Sequence, residues 1–90
     1  MEQSVLAEAR AAERSPHSAT AEDLFNLGLI YSLGLDGAPD LVAAQAWLNL
    51  AAMKGSVPAR ICRRELACEM TPAQMAEAQR QAARWIAPHA

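Results

Sequence analysis

Two cysteines and two histidines are the side chains of this 90-residue chain that could serve as nucleophiles, proton carriers or soft metal ligands. Cys62 and Cys68 lie six residues apart on one predicted helix, which separates their Cα atoms by about 9 Å at about 1.5 Å of rise per residue. A disulfide joins Cα atoms within about 7 Å, so the two cannot pair while that helix is intact. Zinc would need a closer pair and further ligands, which the sequence does not offer. We therefore expect reduced thiols at helix interfaces and no metal site.

The histidines and the glycines do not form a catalytic or phosphate-binding pattern. His17 lies in a break between predicted helices and His89 is the penultimate residue, and neither has a carboxylate or a nucleophile close in sequence. Gly34 and Gly37 do not follow a strand and have no lysine after them, as a phosphate-binding loop would. The sequence therefore predicts no catalytic residue, no cofactor and no enzymatic activity.

Three arginines, Arg60, Arg63 and Arg64, form a local basic cluster, and two of them share a helix face at i and i+4. No aromatic residues alternate with them, and Glu65 and Glu69 follow closely. A solvated face or a contact with an acidic partner is therefore favoured over a nucleic-acid site. The formal net charge of -2 gives no general reason to expect phosphate binding.

Charge is distributed unevenly along the chain. Residues 1–45 contain seven acidic and two basic side chains (net -5), whereas residues 46–90 contain six basic and three acidic ones (net +3). Two interpretations stay open: the charges are solvated helix faces, or they orient a partner or a second copy of the chain. The second interpretation leaves a homo-oligomer open.

Small and apolar residues recur at helical spacing in residues 20–55, which predicts a hairpin of two helices. The first helix carries them as Leu24, Leu27, Gly28 and Tyr31, and the second as Ala44, Trp47, Leu48 and Ala51. Gly34 is placed to end the first helix, and Asp40 and Gly55 to begin and end the second. Glycine inside a helix costs about 0.5 to 1 kcal/mol relative to alanine, so Gly28 predicts a close approach between the two helices.

Two further helices are predicted after the hairpin. Ser56 is placed as the N-cap of the first, with Pro58 in the first turn, where its missing N–H costs little. The second runs from about Pro72 to Ile86 and begins with a capping-box pattern of Thr71 and Gln74. Its outer face is polar, as a terminal helix of a stack requires.

An alanine-rich helix before the hairpin completes the predicted fold. The chain is predicted to be one all-α domain, a short α-solenoid of antiparallel helix pairs with about five helices. Its parts are an N-terminal helix at residues 4–14, the hairpin at residues 20–55, and a degenerate repeat with a capping helix at residues 56–87. Thr20 is the predicted N-cap of the hairpin.

The order of small and aromatic positions in the hairpin resembles one full unit of the Sel-one-like repeat, a relative of the tetratricopeptide repeat. The residues that carry the resemblance are Ala21, Leu24, Phe25, Asn26, Leu27, Gly28, Tyr31, Gly34, Gly37, Asp40, Ala44, Trp47, Ala51, Ala52, Gly55 and Ala59. The resemblance implies a non-catalytic adaptor or scaffold that binds another protein.

The first hairpin helix is apolar almost all round, because Phe25, Leu29 and Leu33 form a second stripe beside the one that faces the hairpin. A helix that is apolar on every side must be covered on every side. The resemblance implies that the stripe of Phe25, Leu29 and Ser32 faces a concave groove for a partner's helix or peptide. Glu22 flanks this stripe.

A competing arrangement covers the same stripe from within the chain. In it the N-terminal helix folds over the stripe with Val5 and Leu6, and the stripe belongs to the core. The binding face would then lie on the basic side, around Arg60 and Arg64. Both arrangements remain open at the level of sequence.

Three classes of function follow from these residues. The preferred one is a protein–protein interaction module; the alternatives are an accessory subunit or regulator of an enzyme complex and, less favoured, a small nucleic-acid binder whose affinity would fall steeply with salt. The longest charge-free run, residues 41–53, is shorter than the roughly 20 residues that span a bilayer, and no targeting segment is visible. We expect a cytoplasmic protein with no membrane or nucleic-acid partner.

Strong reductant is expected to leave the fold unchanged, because the two thiols cannot pair within an intact helix. The measurement is the thermal unfolding midpoint, followed by circular dichroism, with and without excess dithiothreitol. A large drop in the midpoint with reductant would show that a disulfide contributes to stability.

Overall fold

The computed structural model describes residues 3–86, with side chains from residue 6 onward. Five α-helices and no strand occur in this part of the chain, so the predicted all-α class is confirmed. The helices are α1 (Gln3–Arg14), α2 (Ala21–Leu33), α3 (Leu41–Met53), α4 (Val57–Ala67) and α5 (Pro72–Ile86). His89 lies outside the described residues.

The predicted helix starts are confirmed by side-chain caps. Thr20, Asp40 and Ser56 each accept a hydrogen bond from the backbone N–H three residues on, at 3.0 to 3.1 Å. At α5 the capping box is complete in both directions: Gln74 N–H donates to Thr71 Oγ1, and Thr71 N–H donates to Gln74 Oε1. Each cap satisfies an N–H that the helix itself cannot pair, which sets where the helix begins.

Glycine ends α2 because two separate conditions require it. Gly34 has a φ of +66°, and its N–H and that of Leu35 both donate to the carbonyl of Ile30. A Cβ at this position would lie 2.8 Å from both Pro39 Cδ and the Gly37 carbonyl oxygen. The chain therefore reverses tightly into the loop before α3, as the sequence predicts.

Lysine ties the α1–α2 connection to the end of α3. Lys54 Nζ donates to the carbonyl oxygens of Pro16, His17 and Ala19 at 3.0, 2.8 and 2.6 Å. An ammonium group has three donors, and here all three are used on one turn of backbone. The connection is thus held against the hairpin although it has no helix of its own.

Helix α3 is the centre of the fold and packs against α2, α4 and α5. Its buried residues occur on every side of the helix: Ala44, Gln45, Ala46, Trp47, Leu48, Leu50 and Ala51. Trp47 stacks on Trp85 of α5, with ring centroids 3.8 Å apart. A helix that is apolar all round needs cover on all sides, and three helices supply it.

Gly28 allows α2 to approach α3, as predicted. A Cβ added there would lie 2.5 Å from Leu48 Cδ2 and 3.5 Å from the Ala44 carbonyl oxygen. Leu48 is itself buried, so it has little room to move away.

Helices α4 and α5 do not form the close pair that the predicted solenoid would have. Both pack against α3, whereas they make little contact with each other. Gln45 of α3 lies between them, where its side-chain amide donates to the backbone carbonyl of Arg63 and to the sulfur of Met75. A buried polar group thus occupies the position that an apolar α4–α5 contact would need.

None of the described helices combines the length and the apolar character needed to cross a bilayer.

Replacing Gly28 by leucine is expected to lower the free energy of unfolding by about 1 to 3 kcal/mol, because the new side chain would occupy the space of Leu48. Chemical denaturation followed by circular dichroism measures the change. Ala73→Leu, at an exposed position in the first turn of α5, is the matched control and should change stability little. Equal stability of Gly28→Leu and the parent would contradict the close packing of α2 on α3.

Candidate protein-interaction groove

A groove of about 280 Å³ lies between α2 and α4, with α3 as its floor. We call it the α2–α4 groove. Its walls are Leu29, Ser32 and Leu33 of α2, Cys62 and Glu65 of α4, and Glu69 in the turn just after α4, and Leu41, Leu48 and Leu66 also line it. Leu33 is 63% exposed, so an apolar side chain at the edge of the groove faces solvent.

The structure separates the candidate residues on α2. Leu29, Ser32 and Leu33 line the groove together. Phe25 is half-buried and packs against the core, and Glu22 is exposed in the first turn of α2. Neither Phe25 nor Glu22 is among the residues that line the groove.

Helix α1 packs on the other side of α2. The Tyr31 hydroxyl donates to the carboxylate of Glu13, and Arg10 pairs with Asp36 in the loop after α2. Tyr31 lies two residues from both Leu29 and Leu33, a separation that turns a side chain by about 200° around a helix axis. The described residues that line the groove come from α2, α3, α4 and the turn just after α4.

Of the two arrangements left open by the sequence, cover of Leu29 and Leu33 by the N-terminal helix is not observed in the described part of α1. Leu6 packs against the buried cluster. The side chain of Val5 lies outside the described residues. Leu29 and Leu33 consequently keep an open face toward the groove, which the buried residues of α2 do not have.

Two carboxylates form the rim of the groove beside α4. Glu65 lies on α4 and Glu69 in the turn just after it; both are exposed and have no ion-pair partner within residues 3–86. The sequence analysis treated them only as neighbours of the arginine cluster. The spacing of three residues between Cys62 and Glu65, which puts both on one side of a helix, is the signal that would have placed Glu65 in the groove.

Cys62 is the thiol that lines the groove. It is half-buried, and burial, followed by the charge of Glu65, raises the pKa of its thiol. Cys68 is exposed just after α4, and both are free thiols. A raised pKa lowers the thiolate fraction near neutral pH, so Cys62 is a poor nucleophile there.

Arg60 and Arg64 do not join the groove. They lie on the opposite face of α4, because Cys62 is two residues from each of them and about 200° away around the helix. There they line a separate cleft between α4 and α5, which we call the α4–α5 cleft. The seven candidate residues thus do not form one site. Leu29, Ser32 and Leu33 line the α2–α4 groove, Arg60 and Arg64 line the α4–α5 cleft, and Glu22 and Phe25 line neither.

Within residues 3–86, no group of three or more histidine, cysteine or acidic side chains is placed to hold a metal ion. His17 lies in the connection between α1 and α2.

Iodoacetamide at about pH 8 should alkylate Cys68 before Cys62, because burial and the raised pKa both slow the reaction of Cys62. Peptide mass spectrometry of timed samples gives the two rates. Glu65→Gln should increase the rate at Cys62, and in guanidinium the two rates should become similar. Equal rates in the folded protein would contradict the placement of Cys62 in the groove wall.

Comparison of the chain with protein-family models, with curated proteins and with solved structures finds no match. Neither the groove nor the cleft can therefore be assigned by analogy with a relative. Function is inferred from the geometry and charge of these two surfaces.

Proposed function

We propose that this chain is a non-catalytic protein–protein interaction module that holds a helix or an extended segment of a partner in the α2–α4 groove. The observation that carries the proposal is the open apolar wall of Leu29 and Leu33 opposite the acidic rim of Glu65 and Glu69. An apolar groove with a charged rim is the usual setting for a peptide or helix ligand.

The groove defines the chemistry of the partner. Apolar side chains of the partner would contact Leu29, Leu33 and Leu66, and their burial would supply most of the affinity. Lysine or arginine beside them would face Glu65 and Glu69. Because these carboxylates are exposed, the charge pairs contribute more to selectivity and association rate than to affinity.

The position of the groove supports the proposal that the chain is a Sel-one-like repeat protein. In that proposal α2 and α3 are one full repeat, and α4 and α5 are a degenerate second unit. The groove then lies between the first helices of successive units, where the resemblance implies a concave binding face. A regulator of an enzyme complex would use the same groove, with the enzyme as partner, whereas the acidic rim disfavours a phosphate backbone.

The partner chemistry can be measured without knowing the partner. Random peptides of about twelve residues are displayed on phage, selected on the immobilised protein, and the enriched sequences synthesised with a fluorescent label. Anisotropy titrations then give the dissociation constant for each variant. A pull-down from a cell extract with the same variants would identify the natural partner.

Leu29→Glu should fold normally and weaken peptide binding by about tenfold or more, since it places a charge in an apolar wall. Val57→Glu is the matched control: it adds the same charge at an exposed apolar position outside the groove and should leave binding unchanged. Bound peptide should also slow alkylation of Cys62.

Enriched peptides are expected to combine leucine-like residues with lysine or arginine. Replacing both Glu65 and Glu69 by glutamine should weaken their binding and reduce its salt dependence. The proposal fails if Leu29→Glu and Val57→Glu bind equally well, or if Leu29→Glu unfolds, which would show that the stripe is core.

A further inference from the structure

The α4–α5 cleft is the larger opening, with a volume of about 450 Å³, and it lies on the side of α4 away from the groove. It exists because α4 and α5 both pack on α3 and not closely on each other. Its polar lining consists of Gln45 and Asn49 of α3, Arg60, Arg63 and Arg64 of α4, and Gln79 of α5.

The cleft is strongly basic. No acidic side chain lines it. Arg60 and Arg64 lie one helical turn apart and have no ion-pair partner in the described residues, and Arg63 donates to Asn49 Oδ1 at 3.5 Å. The acidic residue of α5, Glu77, already binds Arg80 and Arg84.

Gln45 adds an unsatisfied acceptor at the base of this basic cleft. Its side chain is only 1% exposed, and its Nε2 donates to the Arg63 carbonyl at 3.0 Å and to Met75 Sδ at 3.6 Å. Its Oε1 is buried and has no donor within the described residues. A buried acceptor without a donor is unfavourable, so a ligand that brings an N–H to this position would gain affinity.

An apolar opening continues from the basic one. Asn49, Arg63 and Gln79 line both, and the continuation adds Met53 and Ile86 in a further volume of about 360 Å³. Met53 is 67% exposed. The cleft thus has a basic end and an apolar end.

We propose that the α4–α5 cleft binds an acidic peptide segment of a protein partner, with a glutamate or aspartate at Arg60 and Arg64 and an apolar residue at Met53 and Ile86. Guanidinium groups bind carboxylates through two parallel hydrogen bonds, and a peptide supplies backbone N–H donors that Gln45 lacks. The charge of the cleft is complementary to such a segment, and the apolar end gives it a second contact. This site goes beyond the proposed groove and is independent of it.

Nucleic acid fits the same lining less well. The residues that line the cleft include no aromatic side chain on which a base could stack. At the apolar end, a charged phosphate backbone would make no favourable contact. An acidic peptide uses both ends.

The test uses a labelled peptide of about eight residues with two glutamates followed by two leucines, and a second peptide in which glutamine replaces glutamate. Anisotropy gives each dissociation constant, and side-chain amide NMR signals of Asn49, Gln45 and Gln79 report where the peptide binds. A labelled single-stranded oligonucleotide and inorganic phosphate are the competing probes.

The acidic peptide should bind with a dissociation constant below about 1 mM and shift the three amide signals, and the glutamine peptide should bind at least about tenfold more weakly. The double variant Arg60→Gln, Arg64→Gln should lose about tenfold or more. Arg80→Gln, Arg84→Gln removes the same charge from the outer face of α5 and should change the affinity by less than about twofold.

Several results would overturn the proposal. These are no binding of the acidic peptide, equal loss in both double variants, equal binding of the glutamine peptide, or tighter binding of the oligonucleotide. If inorganic phosphate displaces the peptide at a concentration similar to that of the peptide, the cleft binds anions in general and is not specific for an acidic peptide. Leu29→Glu should leave binding of the acidic peptide unchanged. The proposal for the α4–α5 cleft can therefore be tested separately from the proposal for the α2–α4 groove.

Discussion

The burial of α3 is the constraint on which the rest of the structure depends. Its sequence offers apolar or small side chains in every direction, so the helix is stable only when other helices surround it. Gly28 lets α2 come close enough to contact Leu48, and the stack of Trp47 on Trp85 covers another side. Small residues at these contacts let the helices pack closely together. A chain with 21 alanines has few large apolar side chains from which to build a thick core.

Helix α4 is the wall that two surfaces share. One face carries Cys62 and Glu65 toward α2, with Glu69 just after the helix, and another carries Arg60 and Arg64 toward α5. Charges of opposite sign thus line different openings, although they are neighbours in sequence. The net charge of the chain does not reveal this separation, because the acidic and basic side chains of these two surfaces nearly cancel in the sum.

Local signals account for what could be predicted from the sequence. Caps at Thr20, Asp40 and Ser56 and the glycine at 34 depend on residues within one turn, and the structure places them as expected. The packing of α4 and α5 could not be predicted in this way, because it depends on Gln45, which is 18 and 30 residues from its partners Arg63 and Met75. The sequence analysis left open whether the α2 stripe or the basic side around Arg60 and Arg64 is the binding face, since one sequence does not show which helices meet.

The tryptophan stack has a consequence for how unfolding can be observed. Both tryptophans of the chain meet where α5 packs on α3, with ring centroids 3.8 Å apart. Trp47 is only 2% exposed, so separation of α5 from α3 would bring a buried indole into contact with water. The intrinsic fluorescence of this protein therefore reports on the α3–α5 contact, and the contact of α1 with α2 contains no tryptophan.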